Sequence, residues 1–338
     1  MAETQRFDDI PVVWQVDDID VNASLTRPNG DGPFPAVIMV AGSGPTDRNW
    51  NSPILPGTNG SAALLAQALT AAGFVTLRYD KRASGPHIQE NVPRMLGKIS
   101  MQGHREELAG GVRLLADRKD VDTHHIFVLT NSEGCIHALN YQTQPTALPL
   151  AGLVLTSAFA QPTGVLARTQ IAAQFAAMPN GDQFMKAYDT AMVDFAADRP
   201  IHVDENLPEF LRNVILGVTN PINQPFAREL WITDPLTLLV KVTAPVLIVI
   251  GKKDIQVDWL TDGPLFESIA REHDNLTIRY SENANHVLKY EPRDRTQISA
   301  ADAMLTYSRA DTQLDGETVE TITAWLGAHL KTAGPALP

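Results

Sequence analysis

Three residues of the chain have the types and the order that acyl-transfer chemistry requires. Ser132 lies in Thr130-Asn131-Ser132-Glu133-Gly134, directly after the apolar run 126–129 and directly before a helical pattern. Asp254 stands just beyond the apolar run 246–250 and Gly251, and His286 lies in a loop after the strand pattern 276–280. A serine hydroxyl is a poor nucleophile until a base takes its proton. Histidine has the right pKa for that base, and a carboxylate fixes its tautomer and steadies the imidazolium. Each residue alone has a plainer reading: a helix N-cap for Ser132, a loop carboxylate for Asp254, a hydrogen-bonded loop histidine for His286. Three such residues at three strand ends argue for a shared site.

A sharp strand-to-helix turn lifts a hydroxyl toward solvent and aims a helix N-terminus at it. The amide after the serine, that of Glu133, is then placed to hold an oxyanion. A second donor comes from "VIMVAGSGPTDRNW", where a strand ends at Ala41 and opens into a glycine-rich turn. Small residues such as Gly42 and Gly44 let backbone approach a substrate, and an amide near Ser43 can serve. The lysine and spacing of a phosphate-binding loop are absent there.

The elements that must position these residues follow from periodicity. Residues 19–28 alternate like a half-buried antiparallel strand. The apolar runs 36–40, 126–129 and 246–250 and the apolar-rich stretches 74–79, 153–156 and 276–280 read as strands, most of them buried on both faces. Helical patterns cover 61–73, with Gly73 as C-cap, then 104–118, with Leu108, Val112 and Leu115 on one face, and finally 316–330. Strands alternating with helices predict an α/β fold with a mostly parallel sheet. One segment, 161–234, carries only helical patterns, divided by Pro179, Pro200 and Pro221. It reads as a helical insertion between two strands, and its Phe175, Met178, Phe184, Met192 and Phe195 are expected to supply part of an acyl pocket.

The chain has 338 residues, 44% of them hydrophobic, and a formal net charge of −12. That balance suits a soluble globular protein and argues against nucleic acid or an anionic membrane as partner. One cysteine, Cys135, rules out an internal disulfide framework and fits a reducing compartment. The N-terminus lacks the apolar core of a signal peptide and no run is long enough to span a membrane, so a cytoplasmic location is expected. The sequence leaves a homodimer open. Asp47, Arg48, Asp80, Lys81 and Arg82 read better as an ion-pair brace than as substrate contacts. Adjacent His124 and His125 point to opposite faces of a strand and make a poor metal pair. Cys135, Trp259 and Phe266 read as packing. No metal or cofactor is called for.

The motifs "AGSGPTDR", "GFVTLRYDKRASG", "TNSEG", "GKKDIQVD" and "NANHVLK" together resemble the α/β-hydrolase superfamily. Within it, the chain is similar to bacterial carboxylesterases and serine-aminopeptidase-like hydrolases, from about residue 35 to 330. The resemblance implies Ser132 as nucleophile, Asp254 as acid, His286 as base and the amides of Ser43 and Glu133 as oxyanion hole. It implies an α/β-hydrolase core at 1–160 and 235–338, with a cap at 161–234 after the sixth strand. The implied activity is cofactor-free hydrolysis of a small-molecule carboxylic ester. A thioester, amide, lactone or N-terminal peptide bond is the alternative, and a non-catalytic binding protein the rival. The chain departs from the family pattern in four places. Thr130 replaces the first elbow glycine, Asn131 the histidine before the serine, Ala83 a glycine after strand 3, and Ala41 the histidine that often opens the oxyanion turn.

Overall fold

The computed structural model describes residues 6–331 apart from 54, 56, 177 and 310. The first five residues, part of the N-terminal stretch read above for a signal peptide, lie outside the described residues. The strands are β1 (Ile10–Val16), β2 (Ile19–Thr26), β3 (Phe34–Val40), β4 (Val75–Tyr79), β5 (Val121–Asn131), β6 (Gly152–Thr156), β7 (Val246–Gly251) and β8 (Leu276–Ser281). They form one sheet in the order β1-β2-β4-β3-β5-β6-β7-β8. The β1–β2 and β2–β4 pairings are antiparallel, and the remaining pairings are parallel. The helices are α1 (Ser61–Ala71), α2 (Ile88–Asn91), α3 (Met101–Ala116), α4 (Gly134–Gln142), α5 (Thr163–Phe175), α6 (Gly181–Ala196), α7 (Glu209–Val218), α8 (Phe226–Ile232), α9 (Pro235–Leu239), α10 (Trp259–Ala270), α11 (Ala300–Tyr307) and α12 (Gly316–His329).

The apolar strands feed two cores because successive side chains leave a strand on opposite faces. Ile38, Val40, Leu153, Leu155, Ile248 and Ile250 pack with Leu108, Val112 and Leu115 of α3, Ile136 of α4 and Phe266 of α10. Val37, Met39, Val154, Leu247 and Val249 face the other way, onto Leu65 and Leu69 of α1 and Ile322 and Leu326 of α12. Helices therefore cover both faces, which is why the strands carry apolar runs rather than alternation. α1 ends as its sequence predicts, with Gly73 at φ 97 just past the last turn, a conformation that costs glycine little.

The connections place the site. The chain runs from β3 outward to β4, then crosses back over β3 to β5. Strand order reverses between β3 and β5, and the crevice at the carboxyl ends of such a pair is where ligands bind in open α/β sheets. Gly42 follows β3 there and Ser132 follows β5. Two differences from the sequence reading stand out. β5 begins at Val121, five residues earlier than expected, so His124 and His125 lie inside the strand at its amino-terminal half; His125 Nδ1 is 2.7 Å from Asp122. β1, for which no strand is read above, pairs along its whole length with β2.

Four helices, α5 to α8, separate β6 from β7 within the segment read as an insertion. They have a core of their own, built from Ile171, Phe175, Tyr188, Met192, Phe195, Leu211 and Ile215. Polar contacts join the start of α8 to the sheet domain: Phe226 N donates to Ile99 O at 2.8 Å, part of a bridge between Ile99 and Pro225, and Met101 N donates to Glu229 Oε2 at 2.6 Å.

The junction of β5 and α4 has no slack. A Cβ added to Gly134 would lie 2.7 Å from Val40 O and 2.8 Å from Ala41 O, both backbone atoms at the end of β3. Gly134→Ala should therefore lower stability by about 1–3 kcal/mol, the usual cost of overpacking, read from denaturant midpoints. An unchanged midpoint would show that α4 can slide.

Candidate active site

The turn after β5 holds Ser132 at φ 53, left-handed backbone that is uncommon outside glycine. Such strain persists only where the surroundings fix it, and it concentrates at functional sites. Here the fixing groups are explicit. Ser132 N donates to Thr156 O at 2.9 Å, and Ser132 O accepts from Cys135 N at 2.9 Å. The side chain is 9% exposed, at the mouth of an otherwise buried turn. The loop after β3 abuts it: a Cβ on Gly42 would come within 3.3 Å of Ser132 Cβ. The segment carrying the Ser43 amide thus lies beside the segment carrying the Ser132 hydroxyl and the Glu133 amide.

Asp254 and His286 are paired. Asp254 Oδ2 lies 2.8 Å from His286 Nδ1, and Asp254 Oδ1 accepts from the amides of Gln256 at 2.8 Å and Val257 at 3.0 Å. Asp254 is fully buried, so these donors replace the water it gave up. Its carbonyl accepts from Arg295 Nε at 2.9 Å. The Tyr307 ring stacks on the imidazole at 6.1 Å between centroids. His286 is 7% exposed.

Asn131 accounts for its own departure from the family pattern. Its Nδ2 donates to His286 O at 2.9 Å, and Ser157 Oγ donates to the same carbonyl at 2.8 Å. The residue before the serine therefore ties the elbow to the histidine loop. Thr130 is accommodated by a small partner on α4: its hydroxyl lies 3.1 Å from Cys135 Sγ and 3.3 Å from Val154 O. Burial pushes the Cys135 thiol up to about 12, so it stays neutral and unreactive.

Behind the site lies a buried polar cluster. Lys81 Nζ donates to Gly42 O at 2.7 Å and to Glu133 Oε1 at 3.2 Å, and His137 Nε2 is 3.1 Å from the same carboxylate oxygen. Next to it, Glu107 accepts from Arg82 Nε at 2.9 Å and lies 2.9 Å from His104 Nδ1. The rings of His104 and His137 are 4.6 Å apart, and Phe226 of α8 closes over both. The expected brace is present: Asp80 takes Arg48 N at 2.7 Å and Arg48 Nε at 3.0 Å, while Asp47 accepts the amides of Asn49 and Asn51 within its own turn. Lys81 is in addition a cavity residue. The sequence reading omits His104, Glu107 and His137; the signal was present as His–Glu spacings of three and four on helices.

That cavity, about 730 Å³, opens between the β3 loop and α8. Gly44, Pro45, Lys81 and Glu133 line one side; Val218, Ile222, Phe226, Leu230 and Trp231 line the other. Of the pocket residues expected from sequence, Gly44 is there. Phe175, Met192 and Phe195 are not: they are buried in the helices' own core, with Phe184 packed against it. Met178 is 53% exposed to solvent. The apolar period of α5 and α6 marks an inner face, and that face is turned toward neighbouring helices. Trp259 and Phe266 pack as expected, on Tyr280 and in the main core. Among the described residues, no group of three or more His, Cys, Asp or Glu is arranged to hold a metal, and no helix is long and apolar enough to cross a membrane.

The cluster carries a pH dependence. Burial, then the nearby His104, push the His137 pKa from 6.5 down to about 4. Burial alone would raise Glu133, but Lys81 and His137 outweigh it and hold the carboxyl well below the usual range. The unfolded chain protonates this histidine near 6.5 and the folded chain only near 4, so stability falls as pH drops through that window. The Glu133 contribution is complete above its ordinary value and is lost at lower pH. In urea denaturation series, His137→Gln should give a shallower fall from pH 6.5 to 4; equal slopes would place the proton uptake elsewhere.

No family model matches the chain. It is 24% identical over 283 residues to "Esterase EstD" of Thermotoga maritima, covering 82% of this chain and 61% of that protein. The chain thus spans about three fifths of that relative's length. Among solved structures, it resembles Est1E from Butyrivibrio proteoclasticus at a TM-score of 0.52 and 14% identity, over 95% of this chain and 99% of that one. It also resembles proline iminopeptidase from Mycobacterium smegmatis at 0.54 and 15%, over 95% and 98%. The parallel sheet with its reversal between β3 and β5, the sharp turn after β5 and these likenesses agree on the α/β-hydrolase fold for this chain.

Proposed function

We propose that the chain is a serine hydrolase that cleaves carboxylic esters through an acyl-enzyme. Ser132 attacks the ester carbonyl while His286 takes the hydroxyl proton. The negative charge that develops on the carbonyl oxygen is held by the amides of Ser43 and Glu133. His286 then returns the proton to the leaving alcohol, and the sequence repeats with water in place of Ser132. Asp254 fixes the tautomer by accepting from Nδ1, which leaves Nε2 for the serine. The observation that carries this reading is the buried Asp254–His286 pair, tied through Asn131 to the strained turn at Ser132. The same tie argues against a non-catalytic binding protein, because the elbow's unusual residue supports the histidine loop. The choice of ester over amide is supported by the relatives named as esterases.

In this reading, residues 161–234 form a cap on a core of 1–160 and 235–338, and the cavity under α8 takes the substrate's apolar part. Its size lies in the ordinary range for small-molecule sites, and its helix-borne wall is apolar. A single buried, neutral thiol suits the reducing cytoplasm.

Two tests follow. Ser132→Ala, His286→Ala and Asp254→Asn should each reduce kcat on p-nitrophenyl esters by about 10⁴-fold or more, with the fold intact by circular dichroism. Near-normal turnover in Ser132→Ala would end the proposal. Enlarging the cavity with Val218→Ala or Leu230→Ala should move the preferred acyl length upward, by about 1–3 kcal/mol in kcat/KM per methylene accommodated. Chain-length profiles identical to the parent would remove this cavity from substrate choice.

A further inference from the structure

We propose that Lys81 is a positioning residue that sets the oxyanion site, a role that rests on the Ser132 acyl-transfer reading and deepens it. The two amides assigned to the oxyanion belong to segments far apart in sequence, the loop after β3 and the start of α4. Lys81, just past the end of β4, touches both: its ammonium donates to Gly42 O and to the Glu133 carboxylate. Its sequence neighbours act differently. Asp80 braces Arg48, farther along the loop after β3, and Arg82 braces Glu107 of α3; in these contacts neither bridges the two segments.

The Gly42 contact has a directional consequence. Carbonyl and N–H of one trans peptide point in opposite directions. The peptide that presents Gly42 O to Lys81 therefore turns the Ser43 N–H to the opposite side. Without the ammonium, nothing in this contact prevents that peptide from rotating, and a rotated peptide would offer an oxygen where the reaction needs a donor. Gly42 has no side chain to resist the rotation, and a Cβ there would press on Asn131 and Ser132 at 3.2–3.3 Å. The second contact fixes the other donor: the Glu133 side chain is held by Lys81 and His137, which anchors the residue whose amide opens α4. Lys81 is 4% exposed, and a buried ammonium persists only where paired and hydrogen-bonded. The fold thus keeps a costly charge where it joins both amide-bearing segments.

Kinetics on a p-nitrophenyl ester, together with affinity for a trifluoromethyl ketone that adds to an active-site serine as an oxyanion, test this. Lys81→Met should lower kcat by about 10²-fold, the scale of losing one oxyanion donor, with KM nearly unchanged and ketone affinity reduced in parallel. Lys81→Arg should recover part of both. A folded Lys81→Met with parental kcat and ketone affinity, or a loss confined to KM, overturns the role. If Lys81→Met does not fold, Glu133→Gln decides: it keeps its amide, removes the ammonium's charged partner and should show a smaller loss of the same kind, while parental kcat and ketone affinity there overturn the proposal. A parent protein that cleaves no ester and binds no ketone overturns the acyl-transfer reading itself, an outcome distinct from an active parent indifferent to Lys81.

Discussion

The close approach of the β3 end to the β5–α4 turn is the constraint on which the site depends. Gly134 sits against the carbonyls of Val40 and Ala41, and Gly42 sits against Ser132. A side chain at Gly134 would collide with both carbonyls, and one at Gly42 would press on its neighbours. That contact forces the chain to leave β5 and enter α4 within two residues, which places Ser132 in a left-handed conformation. The same contact sets the loop after β3 beside the serine. A looser junction would relieve the strain and separate the parts.

Around that junction the polar groups are arranged to leave little freedom. Asp254 spends one oxygen on two backbone amides and the other on His286. The His286 carbonyl is held by Asn131 and Ser157, so His286 is fixed at both its ring and its backbone. On the far side, the Lys81–Glu133–His137 and Arg82–Glu107–His104 groups bury charge under Phe226. Buried ion pairs are weak evidence for stability, because desolvation offsets most of their attraction. Their value here lies in direction: Lys81, Glu133 and His104, which line the cavity, are each held by such a bond.

Much of this was legible in the sequence. The apolar runs gave most of the sheet, and the positions of Ser132, Asp254 and His286 just past three of them brought the triad candidates to one edge. β1 was not legible as a core strand because it is an edge: its side chains alternate between solvent and a partly buried face. The start of β5 was hidden by Asp122, His124 and His125, polar residues that the strand tolerates where it is only partly covered. The lining of the cavity was less legible. Periodicity tells which face of a helix is buried but not what buries it, and Phe175, Met192 and Phe195 pack within the helices' own core. The residues that do line the cavity, Val218, Ile222 and Leu230, come from helix ends and a short connection where no period is long enough to read.

The central claim is that Ser132 alone becomes acylated. Intact-mass and peptide mass spectrometry after treatment with a fluorophosphonate measure this directly. The account predicts one adduct per chain, located on Ser132, absent in Ser132→Ala and slowed by orders of magnitude in His286→Ala. An ester-cleaving protein that takes no adduct, or takes it at another residue, would contradict the account.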